Sequence, residues 1–132
     1  MPAWFDIDAA NAMVTTLRPV LLGLREDREA VAGAKRALDV ALSSDGDADH
    51  SAEVRERQHH IVAIVRRMER AVRQIDEWGI TLRDIGTGLI DFPALVSGRP
   101  VWLCWKLGED GVGWWHEMDA GMAGRRPLIE LE

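Results

Sequence analysis

Cys104, His116 and Glu117 fall in one short stretch, LCWKLGEDGVGWWHE (Leu103–Glu117), and Asp91 stands a little upstream. These residue types hold transition metals, move protons or attack electrophilic carbon. A thiol nucleophile needs a neighbouring base or cation to become thiolate near neutral pH. Carboxylates beside Cys104 act in the opposite direction, so its ordinary role is that of a buried structural thiol. A structural zinc site takes four convergent ligands, mostly Cys or His. The stretch offers one of each and lacks the helical H-E-x-x-H spacing. A metal held by Cys104, Glu117 and Asp91 is therefore the alternative to a purely structural row. His116 is expected to be a core histidine bonded to a carbonyl or to a carboxylate such as Glu109; an acid–base or ligand role is the alternative. Arg125, in DAGMAGRRPL, suits a carboxylate or phosphate group, with an internal ion pair to Asp91, Glu117 or Asp119 as its ordinary fate. No pattern in the chain names a cofactor.

Whether these side chains converge depends on the strands that carry them. GLIDFPALV (88–96), RPVWLCWKL (99–107) and VGWWHEM (112–118) are apolar runs separated by Ser97-Gly98 and Asp110-Gly111, both hairpin-turn dipeptides. Two-residue turns at both places pair Phe92 with Leu103, Asp91 with Cys104, Trp105 with His116 and Cys104 with Glu117. Side chains alternate across a strand, so one face carries Ile90, Phe92, Ala94, Val101, Leu103, Trp105, Leu107, Trp114, His116 and Met118. The other carries the row Asp91–Cys104–Glu117. On this register His116 lies in the core, apart from the acidic row. Pro93 and Pro100 restrict the strands and place the first at an edge.

A helical scaffold precedes them. Ile7, Ala10, Val14, Leu17, Leu21, Leu24, Val31, Leu38 and Leu42 recur at helical spacing and predict a helix from Ile7 to Leu42. Asp6 suits its N-cap, Phe5 can staple onto Ala10, and Pro19 predicts a kink or break. The polar stretch SSDGDADHSA breaks the pattern. A second helix is expected from about Ala52 to Trp78, capped by Ser51 and ended by Gly79. Asp45 to Glu56 resembles a calcium loop in its acidic spacing, but His50 stands where the sharp turn needs Gly. The apolar stripes are wider than one seam requires: Met13 and Val20 widen the first, and Val62, Val65 and Val72 the second. Part of that surface is expected to meet the sheet and part a second copy of the chain.

The net charge of −6 argues against a nucleic-acid partner, which requires excess Lys and Arg. The arginines of Ser51–Arg73 read as a solvated face with pairs such as Glu53–Arg57, a basic side that meets an acidic partner being the alternative. One cysteine excludes an internal disulfide, and neither a secretory leader nor a bilayer-spanning run is visible, so a cytoplasmic protein is expected.

LRDIGTGLIDFPAL, GRPVWLCWKLGED, GWWHEMDAGMAGRRPL and, more weakly, FDIDAANAMV resemble the bacterial family known as domain of unknown function 2203. The resemblance covers nearly the whole chain. Matching its motif are Asp91, Phe92, Pro93, Cys104, Trp105, Gly108, Glu109, Trp115, His116, Glu117, Gly121 and Arg125; Met122 departs from the larger aromatic usual there. The family implies small proteins with a helical N-terminal half and carries no activity over.

The expected architecture is α+β, one domain over 1–132. A long antiparallel helical hairpin (6–79), with coiled-coil-like packing, precedes a small three-stranded antiparallel sheet packed on it, its hairpin region spanning 88–120. The expected function is a non-enzymatic, homo-oligomeric interaction module. The alternative is a metal- or small-ligand-dependent enzyme using Asp91, Cys104, His116 and Glu117, for which His116 and the acidic row must share one face.

Overall fold

A computed structural model describes residues 4–44 and 48–130. Helix α1, Ile7–Leu42, is 36 residues long, about 54 Å at 1.5 Å per residue. The Asp6 carboxylate caps it, accepting the Ala9 amide at 2.7 Å. Phe5 is committed to the sheet: its ring meets Phe92 edge-on at 5.0 Å and its amide donates to the Pro93 carbonyl at 2.8 Å. Of the kink or break expected at Pro19, the break does not occur; the helix runs through it. Leu17, Leu21 and Leu24 flank the proline and are buried to within 1%. At about 1.5–3 kcal/mol each, their burial outweighs the roughly 3 kcal/mol of an interior proline.

Helix α2, Ala48–Glu77, starts earlier than Ala52, so Ser51 lies inside it and is not its cap. Its end is the expected one. Gly79 takes φ +80 and donates to the Asp76 carbonyl, and Ile80 donates to that of Ile75. Of the proposed calcium loop, Asp45 to Asp47 lie outside the described residues, and the backbone from Ala48 onward is helical, which the sharp turn of such a loop precludes. The two helices form the expected antiparallel hairpin. Asp27 and Arg67 bridge it through two hydrogen bonds of 3.0 and 2.7 Å, and the Arg67 hydrogen bond holds the Asp27 carboxyl below the usual carboxylate range. Glu53 and Arg57 pair as expected.

The sheet has five strands, not three. They form an antiparallel meander in chain order: β1 (Thr81–Asp84), β2 (Leu89–Val96), β3 (Arg99–Lys106), β4 (Trp114–Glu117) and β5 (Arg126–Pro127). The additional strands are short, and neither carries an alternating pattern long enough to be recognised. Because β1 flanks β2, β2 is not the edge expected of it. Pairing with β1 involves Leu89 to Asp91 only, so Pro93, which has no amide to donate, lies beyond the end of β1.

The β2–β3 hairpin has the expected register. Val96 faces Arg99, Phe92 faces Leu103 and Asp91 faces Cys104. Ser97 and Gly98 take φ 52 and 78, as a type I′ turn requires. The β3–β4 register differs from the expected one: His116 faces Trp102, and Cys104 faces Trp114. Residues 107–113 make a longer loop in place of a turn at Asp110-Gly111. Side chains claim its backbone groups. The Glu109 carboxylate accepts the Lys106 amide (2.9 Å), Trp105 Nε1 donates to the Glu109 carbonyl (3.1 Å), Arg18 donates to the Asp110 carbonyl (2.7 Å), and Asn11 Oδ1 accepts the Val112 amide (2.8 Å). The slip is three residues, an odd number, so every β4 side chain changes face.

The inner face therefore packs Ile90, Phe92, Ala94, Val101, Leu103, Trp105 and Trp115 against Ala10, Val14, Leu17, Leu21 and Leu24 of α1 and Ile75 of α2. Trp114, His116 and Met118, expected there, are not part of that cluster. Gly88 connects β1 to β2 at φ +66, and a Cβ on it would lie 2.5 Å from Leu107 Cδ1 and Cγ. Gly88→Ala is expected to destabilise the fold by about 1–3 kcal/mol; an unaltered thermal midpoint would contradict the packing.

Candidate functional site

The outer face of the sheet gathers the reactive side chains. Asp91 on β2 and Cys104 on β3 are direct cross-strand partners. His116 on β4 joins them diagonally because of the three-residue slip. One potential ligand atom from each of Asp91, Cys104 and His116 lies within 4.8 Å of the other two. All three side chains are buried, at 2%, 0% and 2% exposure. The expectation that His116 and the acidic row occupy opposite faces is therefore overturned, as is the register argument against a shared site.

Hydrogen bonding around His116 is specific. Nδ1 is 2.9 Å from the Glu117 carbonyl oxygen and Nε2 is 3.0 Å from Asp91 Oδ2. A backbone carbonyl only accepts, so it claims the hydrogen of Nδ1. A neutral imidazole then turns its Nε2 lone pair toward a carboxylate oxygen. Two buried acceptors that close require a cation, either a proton or a metal ion. Asp91 Oδ2 also accepts Arg83 Nε at 2.8 Å, whereas Asp91 Oδ1 is buried with no geometrically formed hydrogen bond among the described residues. The Arg83 guanidinium lies over the Trp102 ring, 4.9 Å from its centroid.

Burial, followed by the neighbouring Asp91 charge, pushes the Cys104 thiol up to about 12; Arg125 opposes this only in part. Cys104 is thus a protonated thiol near neutral pH, as expected of a structural cysteine, unless a metal displaces its proton. Alkylation of native Cys104 by iodoacetamide is expected to be at least about tenfold slower than in unfolded chain, because the thiol is buried and its pKa is raised. Comparable rates in the two states would contradict the buried thiol.

Two other sequence candidates leave the cluster. Glu117 faces Val101 and forms an ion pair with Arg99 at 3.1 Å, so it does not extend the Asp91–Cys104 row. Arg125 forms the expected internal ion pair, but with Glu109, at 3.0 and 3.1 Å, while covering Trp114 at 4.6 Å. Arg83 is the residue that sequence reasoning missed. Recognising β1 would have found it, since the pairing of Thr81 with Asp91 brings Arg83 to the same face.

The cluster lines a cleft of about 300 Å³, together with Arg83, Met118 and Met122. Both methionines are 37% exposed. A larger groove of about 490 Å³ runs along the helical hairpin, lined by Arg28, Val31, Val65, Met68, Glu69, Val72 and Arg73; Glu69 is the one carboxylate in that lining, so no cluster of ligands forms there. Among the described residues, no helix is long and apolar enough to cross a membrane.

No curated protein and no solved structure matches the chain. A family model described as "Uncharacterized conserved protein (DUF2203)" does, over residues 3–128, a span that takes in the helical hairpin, all five strands and the whole Asp91–Cys104–His116 cluster. By that match the chain belongs to this family.

Proposed function

We propose that the protein binds a divalent transition-metal ion of the zinc class through Asp91, Cys104 and His116. The observation that carries this is the 3.0 Å approach of His116 Nε2 to Asp91 Oδ2, with Nδ1 already engaged by a carbonyl and the thiol of Cys104 alongside. The donor set is one thiolate, one imidazole and one carboxylate, which suits Zn(II), Fe(II) or Co(II) and not Mg(II) or Ca(II). Tetrahedral zinc with ordinary bond lengths separates its ligand atoms by about 3.3–3.6 Å. Separations from 3.0 Å to no more than 4.8 Å need only a small adjustment to meet that. The surrounding contacts suit the role as well. The Glu117 carbonyl fixes the tautomer that leaves Nε2 free, and Arg83 orients the carboxylate. Three protein ligands and an open position toward a cleft are the arrangement of zinc sites that act as Lewis acids.

Calorimetric titration of metal-free protein with zinc tests this. One equivalent is expected to bind, releasing the Cys104 proton, and Cys104→Ser and His116→Ala are each expected to weaken binding on the order of 100-fold or more. Absence of zinc binding by the parent chain, or unchanged binding by both variants, defeats the proposal.

Self-association through the helical hairpin is a second reading. Its support is the apolar groove on α1 and α2, beside which Val62, Val65 and Val72 are 45%, 36% and 37% exposed. Stripes of that kind ordinarily pack against something. Sedimentation at high micromolar concentration is expected to give a dimer or larger species, and a strict monomer removes this reading.

A further inference from the structure

We infer that the metal-loaded cleft takes a small monoanionic carboxylate, one oxygen on the open metal position and the other on Arg83; this rests on the metal reading above. A divalent ion with the Asp91 carboxylate and the Cys104 thiolate is formally neutral, and His116 adds none. Arg83 then adds one positive charge beside the metal position and the exposed Asp119 of the same cleft one negative charge, so the local attraction of Arg83 suits an anion of no more than one charge.

Arg83 is preorganised for a carboxylate. Its Nε is held by Asp91 Oδ2 and its central carbon lies 4.9 Å from the Trp102 ring centroid, so the guanidinium is oriented from its Nε edge and one face. Its Nη groups have no partner among the described residues, and the side chain is 42% exposed. A planar fork with free N–H groups beside a Lewis-acid position matches the two oxygens of one carboxylate. The residue that orients the metal-ligating carboxylate therefore also presents a docking edge to the incoming one.

A cleft of about 300 Å³ sits at the lower limit for a small-molecule site. Leu89, Met118 and Met122 line it beyond the polar floor. The thioether side chains are apolar and adaptable. They favour a short aliphatic tail on the carboxylate over a bare inorganic anion.

Cobalt(II)-substituted protein tests this with butyrate as the probe. The thiolate-to-cobalt charge-transfer band reports the metal, and the d–d bands report a change in its ligands. Butyrate is expected to shift the d–d bands saturably, and butylamine to leave them unchanged. Arg83→Gln, which retains a donor for Asp91, is expected to show the same cobalt spectrum before titration and butyrate binding weakened on the order of tenfold or more. If Arg83→Gln does not take up cobalt, Arg83→Lys, which keeps the charge and loses the fork, is titrated with the same expectation. A charge-transfer band without any butyrate response, or equal butyrate affinity in the substituted protein, overturns the inference and leaves the metal site standing. Absence of the charge-transfer band in the parent protein overturns both.

Discussion

Trp105→Ala is expected to lower the unfolding free energy by about 3–5 kcal/mol, the range for emptying a large buried aromatic site. Trp105 is 0% exposed, and its ring joins the sheet to α1. Its indole N–H donates to the Glu109 carbonyl at 3.1 Å. Arg18 lies over the ring at 5.7 Å and reaches the Asp110 carbonyl. The substitution therefore removes core volume and also releases the 107–113 loop, whose length sets the β3–β4 register. A second effect follows: the metal affinity of the folded fraction is expected to fall, because that register is what places His116 beside Asp91. Trp105→Phe separates the two contributions. It keeps most of the volume and loses the donor, and is expected to cost about 1–2 kcal/mol. Urea titration of the three proteins measures both, and a Trp105→Ala stability within about 1 kcal/mol of the parent would contradict the role assigned to the ring.

Asp91→Asn is the second large expected effect. The substitution keeps the shape and removes the charge. Zinc affinity is expected to fall on the order of 100-fold or more, since a metal ligand is altered. At a hundredfold excess of zinc over its dissociation constant, the parent protein gains about 2.7 kcal/mol of stability. The variant is expected to lose nearly all of that at the same zinc concentration. Without metal the cost is smaller. Removing one member of a fully buried ion pair costs about 3–5 kcal/mol when the other charge remains trapped. Here Arg83 reaches solvent, so about 1–3 kcal/mol is expected. Thermal melts of both proteins with and without zinc separate the two terms. An equal zinc-induced shift in parent and variant would remove Asp91 from the ligand set.

Much of this was legible in the sequence because it is governed by local rules. Spacings of three and four defined both helices, and Asp6 and Gly79 mark their outer ends for stated stereochemical reasons. Ser97-Gly98 set the β2–β3 turn, and with it the pairing of Asp91 with Cys104. The short partners were not legible: β1 and β5 have too few residues to show an alternation, so β2 was placed at an edge and Arg83 was overlooked. At Pro19 the expected kink or break did not take the form of a break, since the buried leucines around it keep α1 continuous.

The one decision that mattered for function lies between β3 and β4. Asp110-Gly111 is a valid local turn signal, and it was overruled. Arg18 and Asn11 take up the loop's backbone groups from 92 and 101 residues away, respectively, a separation no local pattern reports. Because side chains alternate with a period of two, the resulting three-residue slip exchanged His116 and Trp115 between faces. The sequence by itself determined the helical hairpin, the α+β order and the Asp91–Cys104 pair, all products of neighbours along the chain or across one tight turn. Only the tertiary structure decided that His116 joins that pair, because the register of β4 is set by hydrogen bonds from a helix at the other end of the chain.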